Sequence, residues 1–237
     1  MKFKSPELSN KGLDSYKSRV ERGLKPIISC IIDEQNIDKQ TEKTLDYIEK
    51  NGLFVNYGGD INFFKNNKLK NAGETTYVIS ESNDKPKYSK RFWNCTGIVV
   101  VGENPIDGNQ VSFMSHQDPW EFLYDSKEKF ILDLKQSISN LKGISKKNSI
   151  DVAIFGGKDG NYEYEKSIKL LNEIISKELK IEPNIVTGPS IDKSHPTRVY
   201  FDTQNRRLYL LRGFQTNHKA NENYFSGQFE EKSNDWR

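Results

Sequence analysis

The chain has 237 residues, with 34% apolar and 29% charged side chains and a formal net charge of +3. That length supports a sizeable core, and 13 Phe, 11 Tyr and 3 Trp argue against disorder of the whole chain. The balance of 36 basic against 33 acidic residues excludes a phosphate-tracking nucleic-acid binder; no stretch nears the ~20 apolar residues of a membrane helix; two cysteines build neither a disulfide framework nor a Cys-rich zinc site.

Residues 1–24 are polar and without a period, and read as an arm. The run PIISCII at residues 26–32 predicts a buried strand. A helix over residues 41–50 carries Leu45 and Ile48 and stops at Asn51-Gly52. Strands follow over residues 53–57 and 75–79. KNNKLKN, with Lys65, Lys68 and Lys70, reads as a solvated basic loop, and ESNDKPKYSK at residues 81–90 as a long polar connection. Residues 96–101, TGIVVV, and 110–114 predict a hairpin across a turn containing Asp107-Gly108. Asp118-Pro119-Trp120-Glu121 carries an N-cap, a first-turn proline and a third-position Glu. Ile131, Leu134, Ile138 and Leu141 then keep helical spacing until Gly143. A strand over residues 150–155 ends in Gly156-Gly157. A second amphipathic helix carries Tyr164, Ile168, Leu171 and Ile175. A short strand at 184–187 and a hairpin of 198–201 with 207–211 complete the pattern.

The hairpins predict an α+β fold: a mainly antiparallel sheet or sandwich flanked by helices. The expected organisation is an extension over residues 1–85, a core over 86–212 and a polar tail over 213–237. With no apolar run of signal-peptide length at its start, the chain is expected to be cytoplasmic as synthesised, and monomeric.

The chemistry centres on Cys95, at the entrance to a strand. A thiolate is the reactive form of cysteine, and a histidine is its usual activator. Of His116, His195 and His218, only His116 is brought to Cys95 by the expected hairpin, since one strand's start faces the other's end. His195, before Pro196, reads as structural or solvent-facing, and His218 as solvated. Ser89, six residues before Cys95, is a candidate to orient the imidazole; Ser112 and Ser115 are closer to His116 in sequence, with Ser115 the weaker because a residue adjacent to the histidine points the other way in a strand. Cys30 reads as an inert core residue. Gly156-Gly157 reads as a close turn or a phosphate contact, without the rest of a P-loop. Asp118 and Glu121 fit helix capping, and His116 with Asp118 has no third metal ligand at useful spacing. No cofactor and no metal are expected.

Taken together, Cys95 followed by TGIVVVG, His116 closing SFMSH, Ser89 six residues upstream, and the ordered segments DVAIFGG, NIVTGP and RVYFDTQNRRLYL resemble the CheD-like protein glutamine deamidases. That superfamily includes cytotoxic necrotizing factor and Burkholderia lethal factor. The resemblance spans residues 86–212. It departs at Trp93-Asn94, where the family carries Gly-Ser. It implies a CheD-like core and conversion of a target glutamine to glutamate by a Cys95–His116 thioester route, with Ser89 holding the base. It also implies a protein substrate as partner; the Asn- and Lys-rich composition and the large N-terminal region add the expectation of a bacterial effector or toxin delivered into a host cell. Two other readings of the same residues are a non-catalytic binding module with an inert Cys95, and a transglutaminase or cysteine peptidase using the same pair.

Overall fold

The structure is a computed structural model that describes residues 20–21, 23–56, 76–90, 92, 95–158, 162–188 and 194–214. In chain order the described elements are β1 (Ile28–Asp33), α1 (Lys39–Asn51), β2 (Leu53–Phe54), β3 (Tyr77–Ile79), β4 (Lys87–Lys90), β5 (Thr96–Glu103), β6 (Gln110–Gln117), α2 (Pro119–Asp125), α3 (Lys127–Gly143), β7 (Asp151–Lys158), α4 (Tyr162–Leu179), β8 (Asn184–Gly188), β9 (Ser194–Asp202) and β10 (Arg207–Phe214). The fold is α+β. Two five-stranded sheets, ordered β1-β10-β9-β4-β2 and β3-β6-β5-β7-β8, lie face to face. The inner pairings are antiparallel, and the parallel ones are β1 with β10, β2 with β4 and β7 with β8.

Side-chain alternation along the strands builds three apolar layers. In β5, Ile98 and Val100 point to the helices α2, α3 and α4, while Val99 and Val101 point to the other sheet. β5 is buried on both faces, which is why it reads as an unbroken apolar run. The inter-sheet layer joins Val99, Met114 and Phe155 to Val199, Phe201, Leu208 and Leu210. On the far face of the first sheet, Leu45 and Ile48 of α1 cover Tyr200, Tyr209 and Leu211.

The N-terminal region joins this sandwich by strand addition. β1, β2 and β3 are all edge strands, so residues before 86 are built into both sheets. β1 is not the buried strand expected from PIISCII. Among the described residues it pairs on one side only, and Ile28 and Ile31 are exposed. Cys30 is accordingly half-buried, not a full core residue. Cys30 packs in the layer under α1 and Cys95 in the inter-sheet layer; among the described residues neither forms a disulfide.

The largest departure from the sequence reading is β4. KYSK was expected inside a polar connection, yet it pairs with β9 and β2. Its inward positions are Lys87 and Ser89, both buried. Burial pulls the Lys87 amine well below its usual range. Lys87 Nζ donates to Asn83 O at 2.9 Å, Asn83 Oδ1 at 2.8 Å and Lys85 O at 2.6 Å. Those bonds let a polar side chain occupy a core position. The helix expected to run from Asp118 to Gly143 divides at Ser126 into α2 and α3. No helix among the described residues is long and apolar enough to cross a membrane.

Candidate active site

β5 and β6 form the expected hairpin, with Gly97 opposite His116 and Thr96 opposite Gln117. Val78, His116, Gly97 and Phe155 therefore stand in one row across β3, β6, β5 and β7. Val78 and Phe155 belong to the inter-sheet layer, so His116 faces the same way. Cys95 precedes β5 and packs in that layer too. Cys95 and His116 thus share the inter-sheet layer at the same end of the β5–β6 hairpin.

Ser89 comes from the opposite sheet. It pairs with Val199, an inter-sheet residue, and its hydroxyl meets His116 Nδ1 at 2.7 Å. The three residues are therefore assembled across the sandwich, two from one sheet and one from the other. Ser89 Oγ also lies 3.4 Å from Asn56 Oδ1. In the arrangement where the hydroxyl donates to Asn56 and accepts from Nδ1–H, the imidazole lone pair sits on Nε2. That is the form a general base needs.

His116 is 1% exposed. Its ring lies 4.5 Å from that of Phe92, which also packs 5.5 Å from Phe155. Burial drives the imidazole down to about 3, opposed by a hydrogen bond to the Val55 backbone. The resting imidazole is therefore neutral at physiological pH.

This burial has a consequence for stability. Between the unfolded value near 6.5 and the folded value of about 3, the unfolded chain takes up a proton that the folded chain refuses. Stability is then lost as pH falls through that window. From about pH 6.5 to pH 5, above the main carboxylate range, His116 alone should cost about 1.5 kcal/mol. Urea unfolding of the wild-type chain and of His116→Gln at both pH values measures this. The variant should lose that much less, and equal losses would refute the assignment.

Gly156-Gly157 does not end the strand as expected: both lie within β7, at an irregularity in its pairing with β8. Gly156 and Gly157 have φ of +87° and +76°, and Gly157 N donates to Cys95 O at 3.0 Å. A Cβ on Gly156 would stand 2.4 Å from that same carbonyl oxygen and 2.6 Å from the Phe92 ring. The glycine pair fixes the backbone that carries the thiol. A Cβ on Gly157 would meet the Tyr164 Cβ at 3.2 Å, which places α4 beside Cys95. Burial first, and then the negative charges of Cys95, Asp118 and Glu163, push the Tyr164 phenol up to about 12.

The other sequence candidates fall elsewhere. Ser112 bonds Thr203 Oγ1 at 2.8 Å. Ser115 points to the helical face, donating to Gln117 Oε1 at 2.8 Å and accepting from Ile98 N at 3.2 Å. Asp118 caps α2 by accepting from Trp120 N at 2.9 Å and Glu121 N at 3.2 Å. Among the described residues no group of three His, Cys, Asp or Glu is placed to hold a metal. The side chain of His195, and Lys65, Lys68, Lys70, Trp93, Asn94 and His218, lie outside the described residues. Sequence reasoning missed Phe92, Asn56 and Tyr164. Phe92 had a signal, an aromatic three residues before the thiol, but Asn56 had none.

No protein-family model matches the chain, and no curated protein is significantly similar to it.

Proposed function

We propose that the protein is a cysteine-dependent glutamine deamidase acting on a protein target. The observation that carries this reading is the 2.7 Å bond between Ser89 Oγ and His116 Nδ1, made across the two sheets on the face that holds Cys95. Polar pairs inside an apolar layer are costly to bury. A Ser–His pair beside a thiol has a chemical use that repays such burial.

In this mechanism the neutral His116 takes the Cys95 proton, and the thiolate attacks the side-chain carboxamide carbon. The carbonyl π bond opens to a tetrahedral oxyanion. The Cys95 N–H, which donates to Phe92 O at 3.5 Å, would serve as the oxyanion donor on leaving that bond. As the oxyanion collapses, the C–N bond breaks and His116 returns its proton to the departing ammonia. Water, deprotonated by His116, then adds to the thioester, and its collapse releases glutamate and the thiol. Ser89 holds the ring throughout. No cofactor is required. The target gains one negative charge where it had a neutral amide, enough to disturb an interface or a switch. In the effector role expected from the composition and the large N-terminal region, the target is a host-cell protein.

The test incubates the full chain with a soluble protein extract and maps glutamine residues by mass spectrometry. Specific glutamines should gain about 1 Da, with release of ammonia, in a manner that depends on the Cys95 nucleophile. A gain that persists with Cys95→Ala, or the lack of any gain with the wild-type chain, contradicts the proposal.

A further inference from the structure

Three of the four exposed aromatic side chains among the described residues, Trp120, Tyr124 and Tyr162, stand together. Trp120 and Tyr124 are one turn apart on α2 with ring centroids 5.6 Å apart. Lys166 of α4 places its ammonium 5.3 Å from the Tyr124 ring and 5.1 Å from the Tyr162 ring. The lysine ties the two helices' aromatics together, so the patch is ordered before anything binds. Trp120 is 62% exposed and Tyr162 64%. Neither is needed for the core, since Phe122, Leu123, Leu171 and Ile175 fill that role.

The patch adjoins the candidate site. α2 begins three residues after His116, and Tyr164 lies between Tyr162 and Lys166 in sequence and reaches over Gly157 beside Cys95. Its surroundings are acidic. Within residues 118–127 and 162–169, Asp118, Glu121, Asp125, Glu163 and Glu165 outnumber Lys127, Lys166 and Lys169. That balance repels a polyanion such as nucleic acid. It attracts a basic polypeptide, and exposed, ordered aromatics are the side chains that dominate protein–protein contacts.

We infer that the Trp120–Tyr124–Tyr162 surface is the docking face for the target polypeptide, and that it selects a segment with Lys or Arg and one apolar anchor next to the glutamine. This rests on the deamidase reading for what happens to the glutamine, but the docking step can be measured without turnover. The experiment uses the full chain carrying Cys95→Ala. Its probes are fluorescent synthetic peptides, each with one glutamine and one leucine, flanked by Lys/Arg, by Asp/Glu or by Ser/Gly.

Anisotropy should give basic-flanked peptides an affinity about tenfold or more above acidic-flanked ones. Adding Trp120→Ala or Tyr162→Ala should cost about tenfold, the size of an interface anchor. Ile106→Ala, exposed at the opposite end of the β5–β6 hairpin, should change nothing. The inference is overturned if no peptide binds, if flanking charge has no effect, or if the aromatic variants bind as Ile106→Ala does. If docking behaves as stated while Cys95 proves inert, the catalytic reading fails alone. If Cys95 reacts while docking fails, the docking face is wrong and the catalytic reading stands.

Discussion

Gly156→Ala should destabilise the fold by about 3 kcal/mol, combining left-handed backbone strain with overpacking. The residue sits at φ +87°, and its added Cβ would stand 2.4 Å from Cys95 O, 2.6 Å from a Phe92 ring carbon and 3.2 Å from Thr96 Cα. Two of those atoms are buried backbone, Thr96 Cα in β5 and Cys95 O just before it, and cannot yield as a side chain would. Gly108 supplies the control. It has φ +75° with nothing within 4 Å of its Cβ position, so Gly108→Ala should cost only the backbone strain, about 1 kcal/mol. Urea unfolding of the two variants separates the effects. Equal losses would mean that the Gly156 contact with Cys95 is not held closely. The loss at Gly156 should also carry over to Cys95 chemistry, because relief of the clash moves the carbonyl that Gly157 holds.

The second large effect concerns the imidazole. His116→Gln should slow any Cys95-dependent reaction by about 10²–10⁴-fold, the range for a lost general base. Ser89→Ala should give a smaller loss, since the base remains but its Nδ1 partner at 2.7 Å is gone. The ring would keep its Phe92 contact, so orientation is weakened but not lost. Ser89→Thr retains the hydroxyl and should restore much of the rate. A purely structural serine would move stability alone. A positioning serine moves the reaction rate in a variant that still unfolds at a similar urea concentration.

Much of the architecture is written in apolar periodicity. The β5–β6 hairpin follows from two strand-forming runs and a turn, and it alone places Cys95 and His116 on one face. The Asp118 cap and the later helices follow from spacing and end signals in the same way. β4 does not, because its inward positions are Lys87 and Ser89. Period-two alternation signals a strand only when the inward side chains are apolar, and here one is a bonded amine and the other the partner of His116. The segment therefore reads as a polar loop for the same reason that it contributes to the site. Cys30 is misread from local composition, since PIISCII does not reveal that its strand, among the described residues, has a neighbour on one side only. Asn56 and Phe92 come into place through inter-sheet packing, a long-range consequence that no local pattern carries. Ser126, which divides α2 from α3, interrupts a helical spacing that looks continuous in sequence.

The account stands on Cys95, His116 and Ser89 acting as one reacting unit. Iodoacetamide tests this most directly, because the reagent carries the same carboxamide group as a glutamine side chain. Its rate of alkylation is measured for each cysteine by peptide mapping at about pH 7, with Cys30 in the same chain as the internal reference. Relative to Cys30, Cys95 should react at least about tenfold faster in the wild-type chain than in His116→Gln, with Ser89→Ala between them. If Cys95 reacts at the same rate in all three chains, it is a packing residue and the proposed chemistry is wrong.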